Sequence, residues 1–257
     1  MNRIILLFIL GFIGFYGCNT VKKGVTIPLN FTTASKDTLP YNIFYPTSYG
    51  KKGEKVPLFL WLHGAGERGN DNKAQLKNVV PYLISPDVQA NFPAVIVVPQ
   101  CPKEGYWAPV KRFEWSIVNG GAVTPPMHLV IQLLDKLMLD PNIDTERVYV
   151  GGLSMGGFGT LDILSRRPEI IAAAVPVCGG SDLEKVKNYK DVPLWIFHGA
   201  KDDVVKPELS RDLVAKLKVL GKNPRYTEYP EGNHGIWEAA VREPELLQWL
   251  FSQRKGK

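Results

Sequence analysis

The stretch Arg147-Val148-Tyr149-Val150-Gly151-Gly152-Leu153-Ser154-Met155-Gly156-Gly157 decides the fold. An apolar run of strand-forming residues enters glycine, and a serine stands between Gly152 and Gly156. The order is strand, sharp turn, helix start built of small residues. A serine at such a turn takes a strained backbone conformation, and the flanking glycines let the chain double back without clashes. The strain lifts the hydroxyl clear of the sheet edge. Gly-x-Ser-x-Gly also occurs in ordinary glycine-rich loops, so its partners decide its meaning.

Downstream, Asp202 and Asp203 follow a strand ending Phe197-His198-Gly199, and His234 lies in Glu231-Gly232-Asn233-His234-Gly235. A serine hydroxyl is a poor nucleophile alone. A histidine must take its proton, and a carboxylate must orient the histidine. The order Ser154, acid, His234 along the chain is that of α/β-hydrolases. Only one of Asp202 and Asp203 can face the histidine. His198 precedes the acid and reads as a packed strand-end residue; His128 has no assigned role.

Upstream, His63-Gly64-Ala65-Gly66 follows the apolar run 58–62. In a hydrolase with this chain order, the loop here gives one backbone N–H to the oxyanion hole, and the residue after the nucleophile gives the other. The expected donors are Ala65 or Gly66, and Met155. His63 is read as structural. Glu67 and Arg68 brace this loop, line the pocket or form a surface ion pair.

Period-two and β-branched patterning predicts strands at 25–33, 39–45, 58–62, 94–98, 147–150, 172–177, 194–197 and 225–229. Helices are predicted at 126–139, 155–167, 207–220 and 236–251, the last interrupted or restarted at Pro244. Alternation of strand and helix argues an α/β fold, with a mainly parallel eight-stranded sheet and helices on both faces. The first two strands, with no helix between them, suit an antiparallel edge pair. Residues 100–124 fit neither period and carry Tyr106, Trp107, Phe113 and Trp115. A loop this long is a site lid or packs its aromatics onto the core. Of the four, Trp107 is expected to touch substrate, because Gly105 and Pro109 bracket it in a tight turn.

The 257 residues carry a formal charge of +6, spread without a basic cluster interleaved with aromatics, which argues against nucleic-acid binding. Residues 1–18 read as a signal peptide: Arg3, an apolar run too short to span a bilayer, then Gly17-Cys18. The ending is lipobox-like, although Phe15 and Tyr16 are bulky for it. The expectation is an exported bacterial lipoprotein, facing the periplasm or cell surface and touching the membrane only through a lipid on Cys18. Residues 19–257 then form one catalytic domain. Cys101 and Cys178 suit either a disulfide or two buried thiols. No spacing suggests a metal site, and no cofactor is expected. Oligomeric state is left open.

Six stretches carry a resemblance: Leu62-His63-Gly64-Ala65-Gly66-Glu67-Arg68-Gly69, Pro99-Gln100-Cys101-Pro102, Gly152-Leu153-Ser154-Met155-Gly156-Gly157, Pro176-Val177-Cys178-Gly179-Gly180, His198-Gly199-Ala200-Lys201-Asp202-Asp203-Val204-Val205 and Asn233-His234. In this order the chain resembles bacterial α/β-hydrolase-fold esterases of the predicted-peptidase or phospholipase/carboxylesterase-like type, related to feruloyl and polyhydroxybutyrate esterases. The resemblance implies the α/β-hydrolase fold and ester hydrolysis through an acyl-enzyme. Its His-Gly-x-x-Asp pattern places the acid on Asp202. The expected substrate is a small-molecule or glycan ester, with feruloyl or acetyl groups. Two other readings compete: a serine peptidase of the prolyl oligopeptidase type, and a non-catalytic binding protein on a hydrolase scaffold.

Overall fold

In the computed structural model, residues 21–111 and 114–256 are described. The leader expected at 1–18, with Cys18, and the aromatic Phe113 lie outside the described residues.

Eight strands form one sheet: β1 (Thr26–Thr32), β2 (Thr38–Phe44), β3 (Val56–Leu62), β4 (Val95–Pro99), β7 (Ile143–Leu153), β8 (Ala173–Val177), β9 (Trp195–Gly199) and β10 (Arg225–Tyr229). Their spatial order is β1-β2-β4-β3-β7-β8-β9-β10. β2 runs antiparallel to β1 and β4, and from β4 to β10 the pairings are parallel. The expected edge pair is therefore present, and its register runs from Thr26 opposite Phe44 to Thr32 opposite Thr38.

Side chains on β3 alternate between two cores. Leu58, Leu60 and Leu62 join one face, and Phe59 and Trp61 join the other, the two-residue period of a pleated strand. The first core is capped by α3 (Pro125–Leu137), α4 (Met155–Arg166), α5 (Val186–Tyr189) and α6 (Glu208–Val219). The second is capped by α1 (Val80–Leu83), α2 (Pro86–Asn91), α7 (Trp237–Val241) and α8 (Leu246–Ser252). Because both faces are covered, β3, β4 and β8 are buried along their whole length, as parallel sheets require.

Local signals set the helix ends. Thr124 caps α3 by accepting from the Met127 N–H, with prolines opening the first turn. The single helix expected at 236–251 is two, α7 and α8. Pro244 lies between them, and Glu245 adopts φ +68°. The excursion 100–124 is less irregular than its composition suggests. It holds a small hairpin of β5 (Val110–Lys111) and β6 (Ser116–Ile117), closed by the Val118 N–H donating to the Pro109 carbonyl at 2.9 Å. No helix among the described residues is long and apolar enough to cross a membrane.

Candidate active site

The carboxyl ends of β3, β7, β8, β9 and β10 converge, the place where open parallel sheets bind ligands. Ser154 is the single residue between β7 and α4. Its backbone sits at φ +53°, ψ −118°, a conformation that costs an ordinary side chain energy and needs support. The support is close packing: a methyl on Gly156 would lie 1.9 Å from the Leu62 carbonyl oxygen. The Ser154 N–H also donates to the Val177 carbonyl at the end of β8, at 2.9 Å.

Two loops bring the partners. The loop after β9 carries Asp202 and the loop after β10 carries His234. They are tied by the Ala200 N–H donating to Tyr229 O at 2.9 Å and the Lys201 N–H donating to Gly232 O at 2.8 Å. His234 Nε2 stands 2.9 Å from Ser154 Oγ, and its Nδ1 stands 2.7 Å from Asp202 Oδ2. An ionised carboxylate only accepts, so Nδ1 carries the hydrogen and Nε2 is left to accept from the serine. Ser154 is 6% exposed and the His234 side chain 16%, so the line ends in a small opening to solvent.

Asp202 is buried, whereas Asp203 is exposed. Oδ1 of Asp202 accepts from the Val204 and Val205 N–H groups at 2.9 and 2.8 Å. Burial alone would raise its pKa. Hydrogen bonds from His198, His234 and Val205 outweigh burial and hold the carboxyl far below the usual carboxylate range. His198 Nε2 lies 3.2 Å from Asp202 Oδ2, a contact that the sequence reading, which saw only a packed residue, does not anticipate.

The oxyanion-loop candidates occupy a turn. Ala65–Glu67 form a short 3-10 turn after β3, and α4 begins at Met155. The N–H groups of Ala65, Gly66 and Met155 stand in first turns, which offer them no internal acceptor. The loop is braced from several sides. His63 Nε2 accepts from the Cys101 N–H at 2.9 Å and its Nδ1 donates to Gly64 O at 2.6 Å. Burial pushes the pKa of His63 down to about 4, so its ring is neutral. Arg68 donates to Ala65 O and Gly105 O and lies over the Tyr106 ring, 5.0 Å from its centroid. Glu67 accepts from Asn78 at 2.9 Å.

Trp107 requires a correction. It has 0% exposure, so it offers no face to substrate. Its indole N–H donates to His63 O at 3.1 Å, and its Cβ fills the space left by Gly159, where an added methyl would come within 2.5 Å. A buried indole needs an acceptor, and the loop after β3 supplies one. The half-buried aromatics of the excursion are Tyr106 and Trp115. Trp115 stacks on Phe158 of α4, with centroids 6.0 Å apart, and meets Tyr106 edge-on at 5.9 Å. Its φ of +48° is a local signal that residue type alone does not carry.

Cys101 and Cys178 are buried free thiols. Cys178, Asp202 and His234 offer ligand atoms within 4.8 Å of one another. Their spacing suits a proton and not an ion: Nδ1 and Oδ2 are 2.7 Å apart, whereas two ligands of one tetrahedral zinc are about 3.3 Å apart. Burial, then the Asp202 charge, also pushes the Cys178 thiol well above its ordinary range.

Sheet order, crossovers and elbow are those of the α/β-hydrolase fold. The chain belongs to the phospholipase/carboxylesterase family, whose profile matches residues 47–244. It superposes on a thermostable esterase with a TM-score of 0.81 and 37% identity, over 89% of this chain and 63% of that one. A stretch of 82 residues is 40% identical to the bifunctional acetylxylan esterase/xylanase of Neocallimastix patriciarum, covering 32% of this chain and 12% of that protein. Lysophospholipase-like protein 1 of Mus musculus is 24% identical over 85% of this chain and 94% of its own length. The chain thus spans less than two thirds of the thermostable esterase and a small part of the bifunctional enzyme.

Proposed function

We propose that the chain is an exported serine carboxylesterase acting through an acyl-enzyme, with Ser154 as nucleophile, His234 as general base and then acid, and Asp202 as the carboxylate that orients His234. The observation that carries this reading is the hydrogen-bonded line from Ser154 Oγ through His234 to Asp202. In the first step His234 Nε2 takes the serine proton as Oγ attacks the ester carbonyl. The carbonyl oxygen becomes an oxyanion, which the N–H groups of Met155 and of Ala65 or Gly66 stabilise by fixed dipoles. Collapse releases the alcohol, which takes the proton from His234. Water then repeats the sequence on the acyl-enzyme and frees the acid. Asp202 stays ionised throughout and stabilises the imidazolium.

The substrates proposed are acyl groups on glycans, acetyl or feruloyl. Support comes from the segment shared with the acetylxylan esterase/xylanase and from the Tyr106 and Trp115 rings, which offer flat apolar area beside α4. We also propose that residues 1–18 are a leader and that Cys18 carries the lipid of a bacterial surface or periplasmic lipoprotein; a Cys18→Ser chain still processed and membrane-bound refutes this.

Labelling with a fluorophosphonate tests the nucleophile. Wild type should label and hydrolyse p-nitrophenyl acetate, methyl ferulate or acetylated xylan. Ser154→Ala should do neither while keeping its fold, with residual rate on the order of 10³ over water at most. Near wild-type hydrolysis by Ser154→Ala refutes the assignment. A folded wild type that neither labels nor turns over favours a binding protein.

A further inference from the structure

His198 is the penultimate residue of β9, is fully buried and is held at both ring nitrogens. Nδ1 lies 2.7 Å from Ser210 Oγ on α6. Nε2 lies 2.9 Å from the Val205 carbonyl and 3.2 Å from Asp202 Oδ2. Both of those oxygens only accept, so Nε2 carries a hydrogen shared between them. Oδ2 is also the oxygen that faces His234 Nδ1 at 2.7 Å. One carboxylate oxygen therefore serves two histidines, one sealed in the core and one partly open to solvent.

We infer that His198 is a positioning residue for hydrolysis: its Nε2–H fixes the carboxylate of Asp202 and divides the basicity of Oδ2 between itself and His234. The inference rests on the triad reading above. The ionisable groups around His198 and the shared Oδ2 come from several elements. Asp202 and His234 come from the two loops, and Cys178 follows β8. Glu228 of β10 stands opposite His198 in the strand register, and Arg211 and Tyr226 hold its carboxylate. The Cys178 thiol donates to the His234 carbonyl oxygen at 3.7 Å, and Glu228 is an acceptor held by Arg211, so the ring N–H that shares Oδ2 with His234 is that of His198.

The consequence has a definite sign. With the Nε2 donor removed, Oδ2 binds the His234 Nδ1–H more strongly and the His234 imidazolium is better stabilised. A base that holds its proton more tightly must be titrated at higher pH, so the acid limb of kcat/KM moves up. In His198→Leu the limb should rise by about half a pH unit or more, with kcat reduced and KM within about twofold of wild type. His198→Gln, which places an N–H near the lost Nε2, should keep the limb near wild type. His198→Asn, which reaches only toward Ser210, should shift it like leucine.

An unmoved limb in both His198→Leu and His198→Asn overturns the inference, as does an equal shift in His198→Gln. Should His198→Leu fail to fold, the asparagine and glutamine variants decide. Histidine-selective ¹⁵N NMR of the wild-type chain gives a second measurement. The His198 Nε2 signal should stay protonated and move as His234 titrates, and a His198 signal indifferent to that titration overturns the inference. If Ser154→Ala stays active, the triad reading fails and takes this inference with it. If Ser154→Ala is inactive and the limb is unmoved, the role of His198 alone fails.

Discussion

The indole N–H of Trp107 donates to the carbonyl oxygen of His63 at 3.1 Å, and the two rings meet edge to face with centroids 5.3 Å apart. Trp107 is thus a strut under the loop that carries Ala65 and Gly66. Trp107→Ala should destabilise the chain by about 3–5 kcal/mol, the usual loss for a buried large ring. The ratio of kcat/KM between aryl and short acyl esters should stay within about twofold. Denaturant unfolding with a two-ester assay checks both, and a tenfold change in preference would restore Trp107 to the pocket.

Asp202→Asn should cost about 10⁴ in kcat, because an amide cannot hold the histidine tautomer or balance its charge. Asp203→Asn, at an exposed position, should stay within about twofold of wild type. Steady-state kinetics on p-nitrophenyl acetate distinguishes the two adjacent acids, and a crippled Asp203→Asn would reverse the choice.

Stability should fall as the solution is acidified, through His63. Its pKa is lowered by burial, and further by Arg68, to about 4, against an ordinary value of about 6.5. The unfolded chain then binds the proton that the folded chain refuses. The stabilisation is full above pH 6.5 and is lost as pH falls toward 4, a change of about 3 kcal/mol. Urea midpoints at pH 7.5 and 4.5 should show this loss in wild type and a smaller one in His63→Gln. Equal losses would remove His63 as the cause. Asp202, whose pKa is also held down, adds its own loss below about pH 4.

Gly156→Ala should unfold or severely destabilise the chain. Its methyl would meet the backbone oxygen of Leu62, which no rotamer change can relieve. A cost of about 3 kcal/mol or more is expected. Gly66→Ala makes the control, since nothing lies within 4 Å of its added methyl. Circular dichroism melts of both would show the contrast, and a stable, active Gly156→Ala would contradict the packing described.

Much of this was legible in the chain. Eight strands are readable because β-branched runs and the two-residue period are local. The elbow is readable because its glycines are required wherever the turn occurs. Asp202 was separable from Asp203 only through the family pattern, since both adjacent acids suit a strand-end loop equally. What stayed hidden is long-range. The burial of Trp107 depends on Gly159, a residue 52 positions away. The second histidine on Asp202 depends on how the loop after β9 folds back over its own strand end. The β5–β6 hairpin is too short for its period to register, and Trp115 at positive φ breaks the preference of its own residue type.

The hairpin closed by Pro109 and Val118 also has an evolutionary meaning. Its base is pinned while its turn is exposed at Lys111 and Glu114. Joining ends already held together costs little chain entropy, about 0.6 kcal/mol for each doubling of length. Longer inserts could be grafted at this point without disturbing the Trp107–His63 strut on one side or the Ser154 elbow on the other. Descendants of this chain could change what they recognise by splicing here, and inherit the hydrogen-bonded line from Ser154 to Asp202 unaltered.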